Sequence, residues 1–267
     1  MGDGACLAAV SVIAASVFAS RGGNVTRTFD NLLLMGRPAA GKSEFIDFMK
    51  KTPDAERAAA FRMGRFEELD DFVWLWEKFL EDDLWEKAGQ PRMYSLRYDE
   101  NYGLDPKAEK LYDLMLARFN HEVEGRYLSR KGFYDDGTLV IEFARGGKQG
   151  YAYSLPRLSR EILEKAAILY VKVSFDESWR RNVARYEEKQ KHSILAHMVP
   201  RQTMESFYRN DDWDTYTVQK ADGYLAIDGV SVPFVTMNNE PELKDRSPLA
   251  ERYGPALNRL MELYEKR

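Results

Sequence analysis

Eight consecutive residues near the start of the chain have the types and spacing of a phosphate-binding loop. They are Gly36, Arg37, Pro38, Ala39, Ala40, Gly41, Lys42 and Ser43, which read G-x-x-x-x-G-K-S. The two glycines allow the backbone to fold closely around phosphate oxygens, at dihedral angles that a side chain would disfavour. Lys42 would place a positive charge near the β- and γ-phosphates, and the Ser43 hydroxyl would be a ligand of Mg²⁺. The pattern therefore predicts that this loop binds ATP and Mg²⁺.

The residues on both sides of the loop match the elements that such a loop requires. An apolar run over 32–35 is typical of a buried parallel strand, and Phe45, Phe48 and Met49 recur at helical spacing over 44–51. Strand, glycine loop and helix is the order of the phosphate-binding motif. A chance match within an ordinary strand–turn–helix is the alternative, and this context disfavours it.

Two adjacent carboxylates, Asp70 and Asp71, come after the next predicted strand, which we place at 58–63. Open parallel sheets bind their ligands beyond the carboxyl ends of the strands, where this pair would lie. One carboxylate could accept a proton from a substrate hydroxyl, while the other holds Mg²⁺ through water. Alternatively, one of them simply caps a helix over 72–85. The pair alone leaves both interpretations open.

A third carboxylate, Glu142, ends an apolar strand predicted over 138–143. Burying a carboxylate in such a run is costly unless it has a partner. This favours a functional role, in which Glu142 holds Mg²⁺ or one of its water ligands. Arg145 follows at the exit of the strand, near where a substrate or phosphate would lie.

Arg181 and Arg185 are four residues apart, so they share one face of a helix that begins near Ser174. In a nucleotide-using enzyme these arginines would clamp the transferring phosphoryl group. A solvated basic face that pairs with Glu187 and Glu188 is the alternative. The polar segment 186–215, which contains His192 and His197, is predicted to be a lid over ATP, with both histidines on its surface.

The elements that position these residues predict an α/β fold of the P-loop NTPase type. We expect a three-layer sandwich with a parallel sheet of about five strands and a helical insertion over 72–128 that covers the site. Within the insertion, residues 90–104 are predicted to form a loop rich in arginine and tyrosine. This loop could contact the substrate or could simply pack on the surface, and the sequence does not favour either role. Residues 168–173 and 224–227 are predicted core strands, 232–236 an edge strand, and 249–264 a terminal helix.

Composition sets the remaining expectations. The 267 residues are 44% hydrophobic and carry a net charge of −4, so no nucleic-acid partner is predicted. Cys6 is the single cysteine, which excludes an internal disulfide and fits a reducing, cytoplasmic location. Residues 1–28 are predicted to be a disordered extension of a domain spanning 29–267. An apolar stretch over 5–19 is short for a membrane span and lacks the positive start of a secretory signal, so we expect no membrane contact.

The order of these features resembles that of the P-loop kinases, in particular the uridine kinase, phosphoribulokinase and nicotinamide riboside kinase group. That group combines the glycine loop with a D-D-F-type motif, a strand ending in Glu and an arginine-bearing lid helix. The corresponding residues here are 36–43, Asp70-Asp71-Phe72, Glu142, and Arg180, Arg181 and Arg185. The sequence departs from the group where Phe143 stands in place of glycine, and in the spacing of the arginines. The loop itself is also similar to those of zeta toxins and small phosphotransferases.

The resemblance implies transfer of the γ-phosphoryl group of ATP, with Mg²⁺, to a hydroxyl of a small molecule such as a nucleoside or sugar. It assigns catalytic roles to Lys42, Asp70, Asp71, Arg181 and Arg185. Asp70, the first acid of its motif, would be the base that activates the acceptor, which leaves Asp71 to cap the helix that follows. A P-loop NTP hydrolase and a nucleotide-binding regulatory protein are the alternatives. The motifs D-x-x-G and N-K-x-D of GTPases do not occur in the sequence.

Overall fold

The computed structural model describes residues 26–99, 101–190 and 198–267. Most of the predicted N-terminal extension, and the part of the predicted lid that holds His192 and His197, lie outside these ranges. The strands are β1 (Asn31–Met35), β2 (Arg65–Asp70), β3 (Ser95–Tyr98), β4 (Asn101–Leu104), β5 (Gly137–Phe143), β6 (Ala166–Lys172), β7 (Asp222–Ile227) and β8 (Val230–Asn238).

Six of these strands form one sheet in the order β2-β5-β1-β6-β8-β7. All neighbours are parallel except the edge pair β7 and β8, which is antiparallel. Strand β1 is central, and all five of its residues are buried because helices cover both faces of the sheet. This burial explains its continuous apolar sequence. The predicted fold class is confirmed, with five parallel strands and one antiparallel edge.

Helices form the two outer layers. They are α1 (Lys42–Lys51), α2 (Asp54–Phe61), α3 (Asp71–Lys87), α4 (Leu111–Glu122), α5 (Phe133–Asp136), α6 (Tyr151–Ser154), α7 (Arg160–Glu164), α8 (Phe175–Gln190), α9 (Arg201–Phe207), α10 (Trp213–Tyr216) and α11 (Arg246–Tyr264). One apolar core joins α1, α2 and α11 to one face of the sheet. A larger core joins α3, α4, α6, α7 and α9 to the other face. In the described ranges, no helix combines the length and apolar character needed to cross a membrane.

Two strand predictions are wrong. Residues 58–63 belong mostly to α2, because Pro53 precedes a first turn with acidic residues and the alanine run that follows favours a helix. The second strand is β2 instead. The roles of the last two strands are also exchanged: β8 is internal and β7 is the edge. Pro233 is tolerated in β8 because its parallel pairing with β6 begins one residue later, at Phe234.

The insertion over 72–128 contains a hairpin as well as helices. It consists of α3, the antiparallel pair β3 and β4, α4, and a π-helical segment over Val123–Leu128. The buried Asp82 carboxylate holds the approach to the hairpin by accepting hydrogen bonds from the backbone N–H groups of Met93, Tyr94 and Ser95. Arg92 forms an ion pair with Asp83. The arginine-rich stretch therefore contains a packed hairpin where the sequence predicts a loop.

Candidate active site

The glycine loop connects the end of β1 to the start of α1 in a shape that requires its two glycines. Gly36 has φ +143° and Gly41 has φ +104°, both in the region that favours glycine. A Cβ atom at Gly36 would lie 2.4 Å from the Val171 carbonyl oxygen, and one at Gly41 would lie 2.3 Å from the Asn239 side-chain nitrogen. The loop is therefore a close backbone cradle, as the motif predicts.

The N-terminus of α1 and Lys42 together make this cradle suitable for an anion. The N-cap residue of α1 is Gly41, which has no side chain to accept a hydrogen bond from the first turn. The first-turn N–H groups of α1 are therefore available to an anion in the loop. The Lys42 ammonium is buried and donates hydrogen bonds to the carbonyl oxygens of Gly36 and Arg37, at 2.9 and 3.0 Å. Its burial lowers the pKa of Lys42, against the opposing charge of Glu142. The two carbonyl oxygens that accept hydrogen bonds from Lys42 are neutral. A bound phosphate would give the ammonium a negatively charged acceptor.

Arg37 lies in the loop, but its side chain points to neighbouring backbone. Its guanidinium donates to the carbonyl oxygens of Val173 at 2.9 Å and Tyr208 at 3.0 Å. It also forms an ion pair with Asp211 at 2.9 Å. Arg37 therefore ties the phosphate-binding loop to the segment after α9.

The two predicted clamp arginines on α8 have different surroundings. The Arg181 guanidinium donates to the Glu177 carboxylate at 2.6 Å and to the Asn239 carbonyl oxygen at 2.7 Å, and it reaches the Ala40 carbonyl oxygen at 3.5 Å. It braces the back of the loop. The Nε of Arg185, one turn later, is buried and has no hydrogen-bond partner among the described residues. Both arginines line the same cavity as Lys42.

Glu142 lies at the end of β5, opposite Leu34 of β1 and Asp70 of β2 in the sheet register. Glu142 is 9% exposed, and its Oε1 atom lies 3.8 Å from Lys42 Nζ. Burial raises the pKa of Glu142, and Lys42 opposes that shift. The carboxylate thus points to the glycine loop, as the Mg²⁺ prediction requires.

The donor set fits Mg²⁺ through Ser43 and Glu142. Both residues line one cavity, and a hydroxyl with a carboxylate provides the oxygen ligands that Mg²⁺ prefers. In the described part of the chain, no group of three or more His, Cys, Asp or Glu side chains is arranged to hold a metal ion. That is compatible with the fit, because Mg²⁺ in nucleotide sites takes most of its ligands from phosphates and water.

Asp70 is the last residue of β2 and caps α3. The Phe72 N–H donates to its Oδ1 at 2.8 Å. The proposal that Asp71 is the cap, with Asp70 free, is wrong, because the N-cap position falls on Asp70. Burial, followed by the charges of Glu142 and Asp71, raises the pKa of Asp70 to about 7.

Asp71 forms a buried ion pair that sequence reasoning missed. The Arg145 Nη1 donates to Asp71 Oδ2 at 2.6 Å, and Arg145 is only 1% exposed. Its guanidinium lies 4.5 Å from the Tyr112 ring centroid. The Nε and Nη2 atoms of Arg145 are buried without a partner in the described residues. The sequence predicts that Arg145 lies near a substrate or phosphate. In the structure its guanidinium holds the Asp71 carboxylate instead.

Two further residues position the site, and nothing local in the sequence marks them. The Tyr151 hydroxyl accepts hydrogen bonds from the N–H of Gly36 at 3.2 Å and of Arg145 at 3.4 Å. The Asn239 side-chain nitrogen donates to the Ala40 carbonyl oxygen at 2.7 Å. The contacts from Tyr151 to Gly36 and from Asn239 to Ala40 join residues more than 100 positions apart, so periodicity and motif spacing cannot reveal them.

The side chains that could contact substrates line one cavity of about 490 Å³, whereas Arg37, Arg145, Tyr151 and Asn239 support it from outside its lining. The glycine loop, Asp70, Asp71, Glu142 and α8 line it, together with the insertion and the segment 198–208. The insertion and this segment are joined across the cavity by a hydrogen bond between the hydroxyls of Tyr112 and Tyr208 at 2.5 Å. A second link runs from the Met198 N–H to the Asn101 side-chain oxygen at 2.9 Å. In its described part, the predicted lid is closed against the insertion.

Comparison with known proteins gives similarity at the level of fold. No protein-family model matches the chain, and no curated protein matches it. Kti12 from Chaetomium thermophilum, solved with ADP-AlF3, is 12% identical over 87% of this chain and 98% of its own, with a TM-score of 0.45. Shikimate kinase from Acinetobacter baumannii is 15% identical over 84% and 90%, with a TM-score of 0.36. A sugar kinase from Janibacter is 13% identical over 86% and 95%, with a TM-score of 0.36.

These similarities are too distant to assign an activity or a substrate to this chain. None of the three proteins is named as a member of the uridine kinase group, so that resemblance stays a prediction from the sequence.

Proposed function

We propose that the protein is an ATP-dependent phosphotransferase that moves the γ-phosphoryl group to a hydroxyl of a small molecule. The sequence resemblance names a nucleoside or sugar as the acceptor and the uridine kinase-like group as the family. The observation that supports this proposal best is the single cavity in which the glycine loop and Lys42 face the carboxylates Asp70 and Asp71. A phosphate donor site and a site for a hydroxyl acceptor are the two parts that such a transfer needs.

The reaction would break the bond between the γ-phosphorus and the oxygen that bridges to the β-phosphate, and form a bond to the acceptor oxygen. Backbone N–H groups of the loop and the N-terminus of α1 would bind the phosphates. Lys42, released from its two carbonyl acceptors, and Arg185 would stabilise the charge that develops on the transferring group. Mg²⁺, when bound by Ser43 and through water by Glu142, would neutralise charge on the β- and γ-phosphates.

A carboxylate of the Asp70–Asp71 pair would take the proton of the acceptor hydroxyl. We assign this role to Asp70, because Asp71 is already paired with the Arg145 cation, and because a pKa near 7 suits a base at neutral pH. Asp71, held by Arg145, would orient the acceptor. Arg181, which the sequence predicts to clamp the phosphoryl group, would instead hold the loop in shape, because its guanidinium already donates to Glu177 and to the Asn239 carbonyl oxygen.

The test compares Lys42→Ala with Lys51→Ala, a lysine on the exposed face of the same helix. We expect Lys42→Ala to lower ATP-dependent turnover by about 10²- to 10³-fold, the loss typical for removal of one charge-stabilising group. Lys51→Ala should leave turnover unchanged, and circular dichroism should show that both variants are folded. Turnover near the wild-type rate in Lys42→Ala would contradict the proposal.

A P-loop hydrolase is the main alternative. It predicts steady ATP turnover without an acceptor, whereas the phosphotransferase should show slow turnover that rises when the acceptor is added. The cavity beyond the carboxylates favours the phosphotransferase, because a hydrolase needs no enclosed space for a second substrate.

A further inference from the structure

The lining of the cavity divides by element into two ends of different chemistry. The glycine loop, α8 and residues 242–244 contribute every basic side chain of the described lining: Lys42, Arg180, Arg181, Arg185 and Lys244. The described residues from the insertion and from 198–208 form what we call the acceptor end. Its walls are mainly apolar or aromatic, and include Leu75, Trp76, Phe79, Leu104, Tyr112 and Val199.

The acceptor end has little capacity to bind a second charge. Among its described residues no Lys, Arg or His lines the cavity, so a phosphate or carboxylate on the acceptor would lack a partner there. The three carboxylates at the boundary are also committed elsewhere: Arg145 pairs with Asp71, Lys42 stands beside Glu142, and Asp70 is the proposed partner of the reacting hydroxyl. None of the three is left to pair with a cationic group on the acceptor. A charge buried without a partner is strongly unfavourable, so the lining selects against charged acceptors.

The acceptor end also offers few hydrogen bonds. The hydroxyls of Tyr112 and Tyr208 bond to each other, and the Tyr102 hydroxyl donates to Asp83. The Thr203 hydroxyl is buried and has no partner in the described residues. An acceptor with many polar groups, such as a free sugar, would leave most of them without a hydrogen-bond partner, which disfavours its binding.

We propose that the acceptor is an uncharged alcohol with an apolar aromatic body, whose reacting hydroxyl meets Asp70 and whose body packs against Trp76. The Thr203 hydroxyl would pair with one further polar group of the acceptor. This inference rests on the proposed phosphotransferase function and narrows its acceptor to a class that is less polar than nucleosides and sugars.

The first experiment measures binding, so that it does not depend on turnover. Calorimetric titrations in the presence of a non-hydrolysable ATP analogue would compare tyrosol with 4-(2-hydroxyethyl)benzoate, which carries a carboxylate in place of the phenol hydroxyl. D-ribose and uridine would represent polar acceptors. We expect tyrosol to bind with a Kd at least tenfold lower than each of the other three, and to yield a phosphate ester when ATP replaces the analogue.

The second experiment assigns the binding to the acceptor end. Trp76→Ala should weaken tyrosol binding at least tenfold without changing the affinity for the ATP analogue. Val73→Ala is the matched control, because Val73 lies on the same helix and is 54% exposed. Thr203→Val, nearly equal in shape, should remove the preference for tyrosol over 2-phenylethanol, which lacks the second hydroxyl.

The outcomes separate this inference from the proposed function. Tighter binding of ribose, uridine or the carboxylate, or no binding of tyrosol, would overturn the inference. So would a loss of tyrosol binding that is equal in Val73→Ala and Trp76→Ala. The phosphotransferase proposal would survive those results if ATP binds and phosphate is transferred to another acceptor. It would fail separately if ATP does not bind or if Lys42→Ala keeps its turnover.

Discussion

The buried pair of Asp71 and Arg145 makes an asymmetric prediction about stability. Arg145→Met removes the cation and leaves Asp71 buried without its partner. Asp71→Asn does the reverse and leaves a guanidinium that is 1% exposed, two of whose nitrogen atoms already have no hydrogen-bond partner in the described part of the chain. Breaking a buried ion pair by removing one partner costs about 3–5 kcal/mol, so each single variant should lower the free energy of unfolding by that amount at pH 8.

The two variants should respond differently to pH, because the Asp71 carboxylate left by Arg145→Met can be neutralised by a proton, whereas the Arg145 guanidinium left by Asp71→Asn cannot lose its charge. In Arg145→Met the pKa of folded Asp71 lies above its unfolded value, so the folded state binds more protons between the two pKa values. The free energy of unfolding then falls as pH rises in that window, by about 1.4 kcal/mol per pH unit, and is recovered in acid. Arginine does not lose its proton, so the cost of Asp71→Asn should not fade between pH 8 and pH 6.

Urea unfolding of the ligand-free protein, followed by circular dichroism at pH 6 and pH 8, would measure both effects. The double variant Asp71→Asn/Arg145→Met should be less destabilised than the sum of the two single variants, because it leaves neither charge alone. Values for Arg145→Met within about 1 kcal/mol of the wild type at pH 8 would contradict the expected cost. Parallel pH dependences of the two single variants would refute the assignment of the titrating group to Asp71.

Two further predictions follow from neighbouring contacts. The pKa of Asp70 is raised from 3.8 to about 7, so wild-type stability should fall as pH rises through that interval, whereas Asp70→Asn, which keeps a helix cap, should lack this fall. Melting temperatures from pH 5 to pH 8 would measure it, and a constant difference between the two proteins would contradict it. Arg37→Ala should destabilise the protein by about 2–3 kcal/mol through its lost charged hydrogen bonds, with a smaller effect on ATP affinity than Lys42→Ala. Equal losses of ATP affinity in the two variants would instead place the Arg37 side chain on the phosphates.

The sequence predicts the central part of the fold because its signals there are local. The apolar run of β1, the glycine loop and the helix that follows are contiguous, and the strand that carries Glu142 is predicted to within one residue. The second strand is misplaced because the alanines of α2 are apolar without being β-branched, and apolarity alone does not separate a buried strand from a buried helix.

The partners of the site residues are predicted less well. Lys42 and Glu142 lie near each other because parallel strands bring their carboxyl ends to the same edge of the sheet, an arrangement that the order of strands and loops indicates. By contrast, Asp71 pairs with Arg145, which lies 74 positions away in the sequence. Arg181 pairs with Glu177, whereas the alternative considered from the sequence was pairing with Glu187 and Glu188. Such choices depend on side-chain directions that only the packed structure defines.

The hydroxyl of Tyr151 contacts both the glycine loop, where the donor phosphates would bind, and Arg145, which holds Asp71 on the acceptor side. It bonds the first N–H of the glycine loop and the backbone of the residue that holds Asp71. Its ring lies deep in the core, at right angles to Tyr170 and Trp213. In the proposed reaction, this aromatic cluster would therefore help to set the distance between the donor phosphate and the acceptor hydroxyl. Repacking that cluster would retune catalysis without altering a single residue that meets a ligand.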